Sequence, residues 1–183
     1  MSQRLIRAFE GIRQRGRPGV IPFLTAGFPD LPTTAALVAA LARTGADAIE
    51  LGVPFSDPLA DGPTIQRTSY HALNKGVTLQ LCLDLCSQLR RQGVDVPLVL
   101  MGYYNPLLSY GLEPFARAAS AAGVDGVIVA ALPPDAAESL GEVCRPRQID
   151  LIALRAPTST DERIPRVCRL ASGFIYCVSL TGT

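Results

Sequence analysis

The chain has 183 residues, 48% of them hydrophobic, which is enough to bury one sizeable core within a single domain. Seventeen basic and sixteen acidic residues leave a net charge of +1 with no basic stripe, which argues against a nucleic-acid partner. No segment approaches the roughly 20 consecutive apolar residues of a membrane span, and charges interrupt the apolar residues of the N-terminus. The expected location is therefore the cytoplasm.

Helical and strand-like patterns alternate along the chain. An amphipathic helix is predicted first, over Gln3–Arg15. Short apolar runs predict six strands, at Val20–Thr25, Ala48–Val53, Leu98–Tyr103, Gly126–Leu132, Leu151–Leu154 and Phe174–Ser179. Helical periodicity between them predicts helices at Thr33–Thr44, Thr78–Gln92, Glu113–Ala122, Pro134–Arg145 and Asp161–Ala171. This alternation is typical of right-handed βα crossovers that build a parallel sheet.

The cysteines and the histidine offer little chemistry. The five cysteines form no Cys-x-x-Cys pair, and Cys82 and Cys86 could supply only two of the four ligands of a structural zinc. We therefore expect reduced, mostly buried thiols and no metal site. His71 is the single histidine, lies in a predicted helical stretch and has no Ser or Asp at a spacing that would enforce a nucleophilic triad. No glycine-rich nucleotide-binding spacing occurs.

Glu50 is the most informative residue, because it lies within a strand predicted to be buried on both faces. Side chains alternate along a strand, so Ile49, Leu51 and Val53 share one face and Ala48, Glu50 and Gly52 share the other. A buried carboxylate is costly unless it is paired or used in chemistry. If the apolar face packs on helices, Glu50 points into a barrel lumen, with space beside its small neighbours for a ligand. The alternative is a surface glutamate on an edge strand.

The seventeen residues from Glu50 to Gln66, Glu-Leu-Gly-Val-Pro-Phe-Ser-Asp-Pro-Leu-Ala-Asp-Gly-Pro-Thr-Ile-Gln, closely resemble a signature of the tryptophan synthase alpha subunit family. Further matching segments are Pro22–Gly27 with Pro29 and Asp30, Gly45–Asp47, Met101–Pro106, Gly123–Gly126, Leu132–Pro134, Ala156–Thr158 and Tyr176–Thr183. The resemblance thus covers essentially the whole chain. It implies a (β/α)8 TIM barrel that cleaves indole-3-glycerol phosphate to indole and glyceraldehyde 3-phosphate, a lyase reaction of tryptophan biosynthesis.

The resemblance also implies partners and residue roles. A beta subunit is expected in an alpha2beta2 complex, facing the loops around Asp57–Pro63 and Asn105–Leu108. Pyridoxal phosphate is expected only in that partner, and none in this chain. Glu50 takes the acid–base role, and Asp61 faces the indole N–H. Substrate-binding positions are Phe23, Met101, Tyr103, Ile128, Ala130, Leu154 and Tyr176. Without the signature, Asp61 would be interpreted as an ordinary turn residue. Asp57 is expected to be a loop cap that holds the segment of Asp61 rather than a reactant.

The chain departs from the family pattern in three respects. We expect a single incomplete barrel domain over residues 1–183, with the first six of eight strands, because a complete barrel takes about 250 residues. The phosphate-binding loops, and a threonine expected to act with Asp61, would lie beyond Thr183. Ala131 occupies a position where the family usually has Asp, and Arg155 one that is normally apolar.

Two other functions are weighed against the lyase. The first is a catalytically silent fragment that keeps only the surface for the beta subunit. The second is another phosphate-handling barrel, such as a sugar-phosphate epimerase. Such enzymes typically depend on sets of metal-binding His and Asp residues, which one histidine cannot supply.

Overall fold

The computed structural model describes residues 1–155 and 163–179. Strands and helices alternate as expected. The strands are β1 (Phe23–Thr25), β2 (Ile49–Gly52), β3 (Leu98–Gly102), β4 (Gly126–Val129), β5 (Asp150–Arg155) and β6 (Ile175–Cys177). The helices are α1 (Gln3–Arg15), α2 (Leu31–Arg43), α3 (Pro63–Asn74), α4 (Leu79–Arg91), α5 (Tyr104–Tyr110), α6 (Leu112–Ala121), α7 (Pro134–Cys144) and α8 (Arg163–Leu170). A short 3-10 helix, Arg145–Arg147, follows α7.

The six strands form one parallel sheet in the order β1-β2-β3-β4-β5-β6. Each strand pairs with the next one along the chain, with Phe23 opposite Glu50 and Glu50 opposite Val99. The sheet curls into part of a barrel, so the expected partial TIM barrel is confirmed. None of the helices within the described ranges is both long and apolar enough to cross a membrane.

The sheet separates two apolar clusters. The larger one packs the outward face of the strands, including Ile49 and Leu51, against the surrounding helices. The smaller one fills the lumen and contains Leu5, Val99, Ile128 and Ile152. Successive residues of β2 thus belong to opposite sides, as the period of two requires.

Helix α1 closes the end of the barrel at which the strands begin. Ser2 caps this helix by accepting a hydrogen bond from the Leu5 backbone N–H, and Leu5 enters the lumen cluster. The Ser2 hydroxyl donates to Asp125 Oδ1 at 2.6 Å, and Arg15 forms an ion pair with Asp47. The carboxyl ends of the strands lie at the opposite end of the barrel, where TIM-barrel active sites are found.

Candidate active site

Glu50 lies on the lumen face of β2 and is only 4% exposed. None of the described residues forms a hydrogen bond or an ion pair with its carboxyl group, and burial alone raises its pKa to about 7. The alternative of a surface glutamate on an edge strand is wrong, because β2 is flanked by β1 and β3. Near neutral pH the protonated and the ionised form of this carboxyl group are therefore both populated.

Tyr176 on β6 lies close enough to Glu50 for the two to interact electrostatically. Burial raises the pKa of the Tyr176 phenol, and the charge of Glu50 raises it further. Tyr176 packs on the lumen cluster together with Met101 and Leu154, and this cluster includes Ile128. Four of the predicted substrate-binding side chains therefore share the lumen that Glu50 faces.

Asp61 lies in the loop of residues 53–62 that joins β2 to α3. Its Oδ2 accepts a hydrogen bond from the Tyr103 hydroxyl at 3.1 Å. Partial burial raises the pKa of Asp61, and the hydrogen bond from Tyr103 opposes this rise. The two carboxyl groups thus occupy different environments. Asp61 accepts a hydrogen bond at the mouth of the barrel, whereas Glu50 lies inside the barrel without a donor among the described residues.

A shallow cavity opens at the carboxyl ends of β2 to β4, with Phe23 of β1 on its wall, and its empty space of about 290 Å³ includes open solvent. Its lining brings Asp61 together with four predicted substrate-binding residues, Phe23, Met101, Tyr103 and Ala130. Glu50 lies deeper, two residues before Gly52, which also lines the cavity from the same face of β2. Met101 belongs to both the cavity and the lumen cluster and so connects the two groups.

Five lining residues were not among the predicted site residues: Gly52, Val53, Ile65, Ser69 and Gly102. Gly52 had been expected to leave space for a ligand, but the Phe23 ring occupies that space. A Cβ atom on Gly52 would lie 2.4 Å from Phe23 Cζ. The glycine therefore accommodates a predicted indole-binding ring, and its small size was the signal. Ile65 and Ser69 come from α3, whose bounds the sequence pattern did not predict.

The loop around Asp57 and the two departures from the family pattern can also be located. Asp57 accepts the Leu59 N–H through its backbone carbonyl, at 2.9 Å. Among the described residues, the side chains that hold this loop are Tyr103 and Gln66, so the expected cap by Asp57 is not seen. Ala131 has φ = 52°, a left-handed conformation in which Asp is less strained than Ala. Arg155 lies exposed at the end of β5.

Two matching segments cannot be placed in this site. Residues 156–158, and residues 180–183 at the end of the last segment, lie outside the described residues. The catalytic roles of Glu50 and Asp61 stay predictions.

Comparison with known proteins assigns the chain to a family. The family model for the tryptophan synthase alpha chain matches residues 9–183. The tryptophan synthase alpha chain of Roseiflexus sp. (strain RS-1) is 51% identical over 179 residues, which is 98% of this chain and 69% of that protein. The corresponding protein of Acidiphilium cryptum is 52% identical, over 98% of this chain and 65% of its own length. The chain thus spans about two thirds of the length of these curated relatives.

Solved structures of tryptophan synthase also resemble this chain. The tryptophan synthase alpha chain of Legionella pneumophila superposes with a TM-score of 0.92 at 37% identity, covering 98% of this chain and 67% of that one. A chain from Mycobacterium tuberculosis tryptophan synthase superposes with a TM-score of 0.93 at 38% identity, covering 100% of this chain and 70% of that one. A chain from the Pyrococcus furiosus tryptophan synthase a2b2 complex superposes with a TM-score of 0.84 at 44% identity, covering 90% of this chain and 66% of that one. This chain therefore belongs to the tryptophan synthase alpha chain family.

Proposed function

We propose that this chain supplies the acid–base residues for the retro-aldol cleavage of indole-3-glycerol phosphate to indole and glyceraldehyde 3-phosphate. The family is one of lyases in tryptophan biosynthesis. The single observation that carries the proposal is a carboxyl group, Glu50, buried in the barrel lumen below a cavity that Asp61 lines. The proposed location is the cytoplasm.

The cleavage requires carbon to leave with a pair of electrons. Protonation of C3 of the indole ring makes this departure possible and places positive charge on the ring nitrogen. A carboxylate beside the ring N–H stabilises that charge, and we assign this role to Asp61. A base must also remove the proton of the glycerol hydroxyl as the carbonyl forms. Glu50, with a pKa of about 7, suits proton transfer in either direction.

Apolar side chains form part of the cavity wall. Phe23, Met101 and Ala130 line the cavity, and walls of this kind suit a flat aromatic substrate. The chemistry uses protons alone, so the proposal includes no cofactor for this chain.

The test is indole release from indole-3-glycerol phosphate, measured with and without a beta subunit. Glu50→Gln should lower the rate at least 100-fold, since a positioned acid–base group contributes about 10²–10⁴-fold. Asp61→Asn should lower it about 100-fold. The matched control is Glu113→Gln, which removes a half-exposed carboxylate paired with Arg147 and should leave the rate unchanged.

Indole release that is unaffected by Glu50→Gln would contradict the proposal. A chain that binds the beta subunit without releasing any indole would favour the silent fragment instead.

The proposed partner is a beta subunit that carries pyridoxal phosphate, in an alpha2beta2 assembly. The Pyrococcus relative is itself part of an a2b2 complex. In this chain, Leu59 is 79% exposed in the loop after β2, and Leu108 is 55% exposed on α5 after β3. Both lie beyond the carboxyl ends of adjacent strands, in the segments expected to face the partner.

Leu59→Asp and Leu108→Asp should weaken co-elution with a beta subunit, whereas Leu37→Asp on α2 should not.

A further inference from the structure

The loop of residues 53–62 carries Asp61, and one hydroxyl group holds two successive residues of this loop. The Tyr103 hydroxyl accepts the backbone N–H of Ala60 at 3.0 Å and donates to Asp61 Oδ2 at 3.1 Å. A phenol has one proton to donate and lone pairs to accept, so both bonds form together. The backbone of the loop and the carboxylate of Asp61 are therefore fixed to the same atom.

Tyr103 is itself well anchored. It directly follows β3, which lies between β2 and β4 in the sheet. Its ring also packs on Phe55 at the beginning of the same loop, with ring centroids 5.1 Å apart and an interplanar angle of 31°. Tyr103, directly after the carboxyl end of β3, thus contacts the loop near both of its ends.

A second side chain holds the loop without touching the carboxylate. Gln66 on α3 donates to the carbonyl oxygen of Asp61 at 2.8 Å and to that of Pro58 at 3.4 Å. Within the described part of the chain, Tyr103 is the only side chain that bonds the Asp61 carboxylate. Gln66 therefore fixes the backbone of the loop, and Tyr103 fixes the direction of the charge.

We infer that Tyr103 is a positioning residue that aims the Asp61 carboxylate into the cavity and holds the loop that carries it. This inference rests on the proposed role of Asp61. A charge stabilises a developing cation best when it is aligned before the reaction, because no reorganisation is then needed. The aromatic ring of Tyr103 lines the cavity, so its hydroxyl and its ring have separable functions.

The variant Tyr103→Phe removes the hydroxyl and keeps the ring. Tyr110→Phe is the matched control, because it removes a phenol that donates to Gln80 Oε1 at 2.6 Å outside the site. Two NMR measurements on the purified chain test the inference without depending on activity. The first is amide hydrogen exchange of Ala60, and the second is the carboxyl titration of Asp61.

In Tyr103→Phe, exchange of the Ala60 amide should be about fivefold faster, because one hydrogen bond is lost. The Asp61 carboxylate loses its donor, so its midpoint of titration should move to higher pH. Nearby titratable groups are Asp57, whose charge acts on Tyr103, and Glu50 and Tyr176 in the lumen, and none of these is altered. Tyr110→Phe should change neither measurement. Unchanged values in Tyr103→Phe would overturn the inference.

The rate of indole release provides a further test of the role of Tyr103. Tyr103→Phe should lower kcat about tenfold with little change in KM, since the lost interaction acts on the transition state and the aromatic wall remains. An equal kcat in Tyr103→Phe and the unaltered chain would also overturn the inference. If the unaltered chain releases no indole, the proposed function fails, and the two NMR measurements still decide whether Tyr103 positions Asp61.

Discussion

The environment of Glu50 makes its carboxyl group behave differently from an exposed one. Its pKa is raised from 4.5 to about 7 because the lumen removes it from water and supplies no donor or cation among the described residues. The same burial that suits the group to proton transfer also has a cost in stability. Below pH 4.5 the carboxyl group is protonated in both the folded and the unfolded chain, and this cost vanishes.

We predict that the free energy of unfolding falls as the pH rises from 4.5 to 7, because the folded chain holds the proton of Glu50 more tightly than the unfolded chain does. The loss should be about 2 kcal/mol, after allowance for water in the open lumen. Glu50→Gln should remove this loss and be the more stable protein at pH 8. Urea unfolding at pH 4.5 and pH 8 measures both proteins.

Glu113→Gln, which changes a half-exposed carboxylate, should keep the pH dependence of the unaltered chain. The same slope in Glu50→Gln would show that Glu50 is not the group that titrates.

At the scale of elements, helix α1 is fastened to the starts of the strands by aspartates. Asp125, which precedes β4, is 2% exposed and accepts hydrogen bonds from Ser2 Oγ, Arg90 Nη2 and the Leu98 N–H. Arg4 of α1 adds a bond to the same carboxylate at 3.4 Å. One buried aspartate thus joins α1, α4 and the beginning of β3. The closed end of the barrel depends on this network.

Asp125→Asn should lower the free energy of unfolding by about 3 kcal/mol, because it leaves the mostly buried guanidinium of Arg90 without its counter-charge. Asp95→Asn is the comparison. Asp95 is 70% exposed and pairs with Arg4 and Arg7, so its loss should cost less than about 1 kcal/mol. Urea unfolding at pH 7 compares the two variants. Equal losses in the free energy of unfolding would contradict the conclusion that the closed end of the barrel depends on the Asp125 network.

The sequence predicted the alternating elements well, because an apolar period is a local property. Helix α1 has the predicted bounds, and each of the six strands overlaps its predicted segment. β4 ends at Val129 rather than Leu132, since the left-handed conformation of Ala131 ends the extended chain. The bounds of helix α3 were not predicted, although His71 was placed in a helical stretch, because the buried residues of α3 are only Ser69 and Ala72 and show no apolar stripe.

The candidate site was predicted in its residues but not in its contacts. The alternation along β2 was enough to place Glu50 in the lumen, and the signature segment indicated Asp61. The bond between Tyr103 and Asp61 joins side chains 42 residues apart, so no local pattern contains it. No local pattern contains the contacts of Asp125 either. Asp125 and Asp47 do share one sequence feature, since each is the last residue of a Gly-x-Asp segment and each forms an ion pair with an arginine of α1.

At the scale of the molecule, the two outer strands are the weak places. Within the described ranges, β1 pairs only with β2, and β6 only with β5. Each therefore presents backbone groups that a neighbouring chain could pair with. The lumen between these strands carries aromatic side chains, including Phe23 and Tyr176.

We predict that a polypeptide of these 183 residues associates through its outer strands at high concentration. Light scattering after size-exclusion chromatography, under reducing conditions, should show dimers or larger species. Cys177→Lys places a charge on β6 and should shift the distribution toward monomer, whereas Cys168→Lys on α8 should not, although both cysteines are exposed. A monodisperse monomer of the unaltered chain would contradict this prediction.

The central claim is that Glu50 and Asp61 are two unlike carboxyl groups facing one indole-binding lumen. Titration of the glutamate and aspartate carboxyl carbons by NMR, with and without added indole, tests it most directly. We expect Glu50 to titrate at about pH 7 and added indole to move the signals of Glu50 and Asp61 while leaving that of Glu113 in place. A Glu50 midpoint near 4.5, with neither signal responding to indole, would contradict the account.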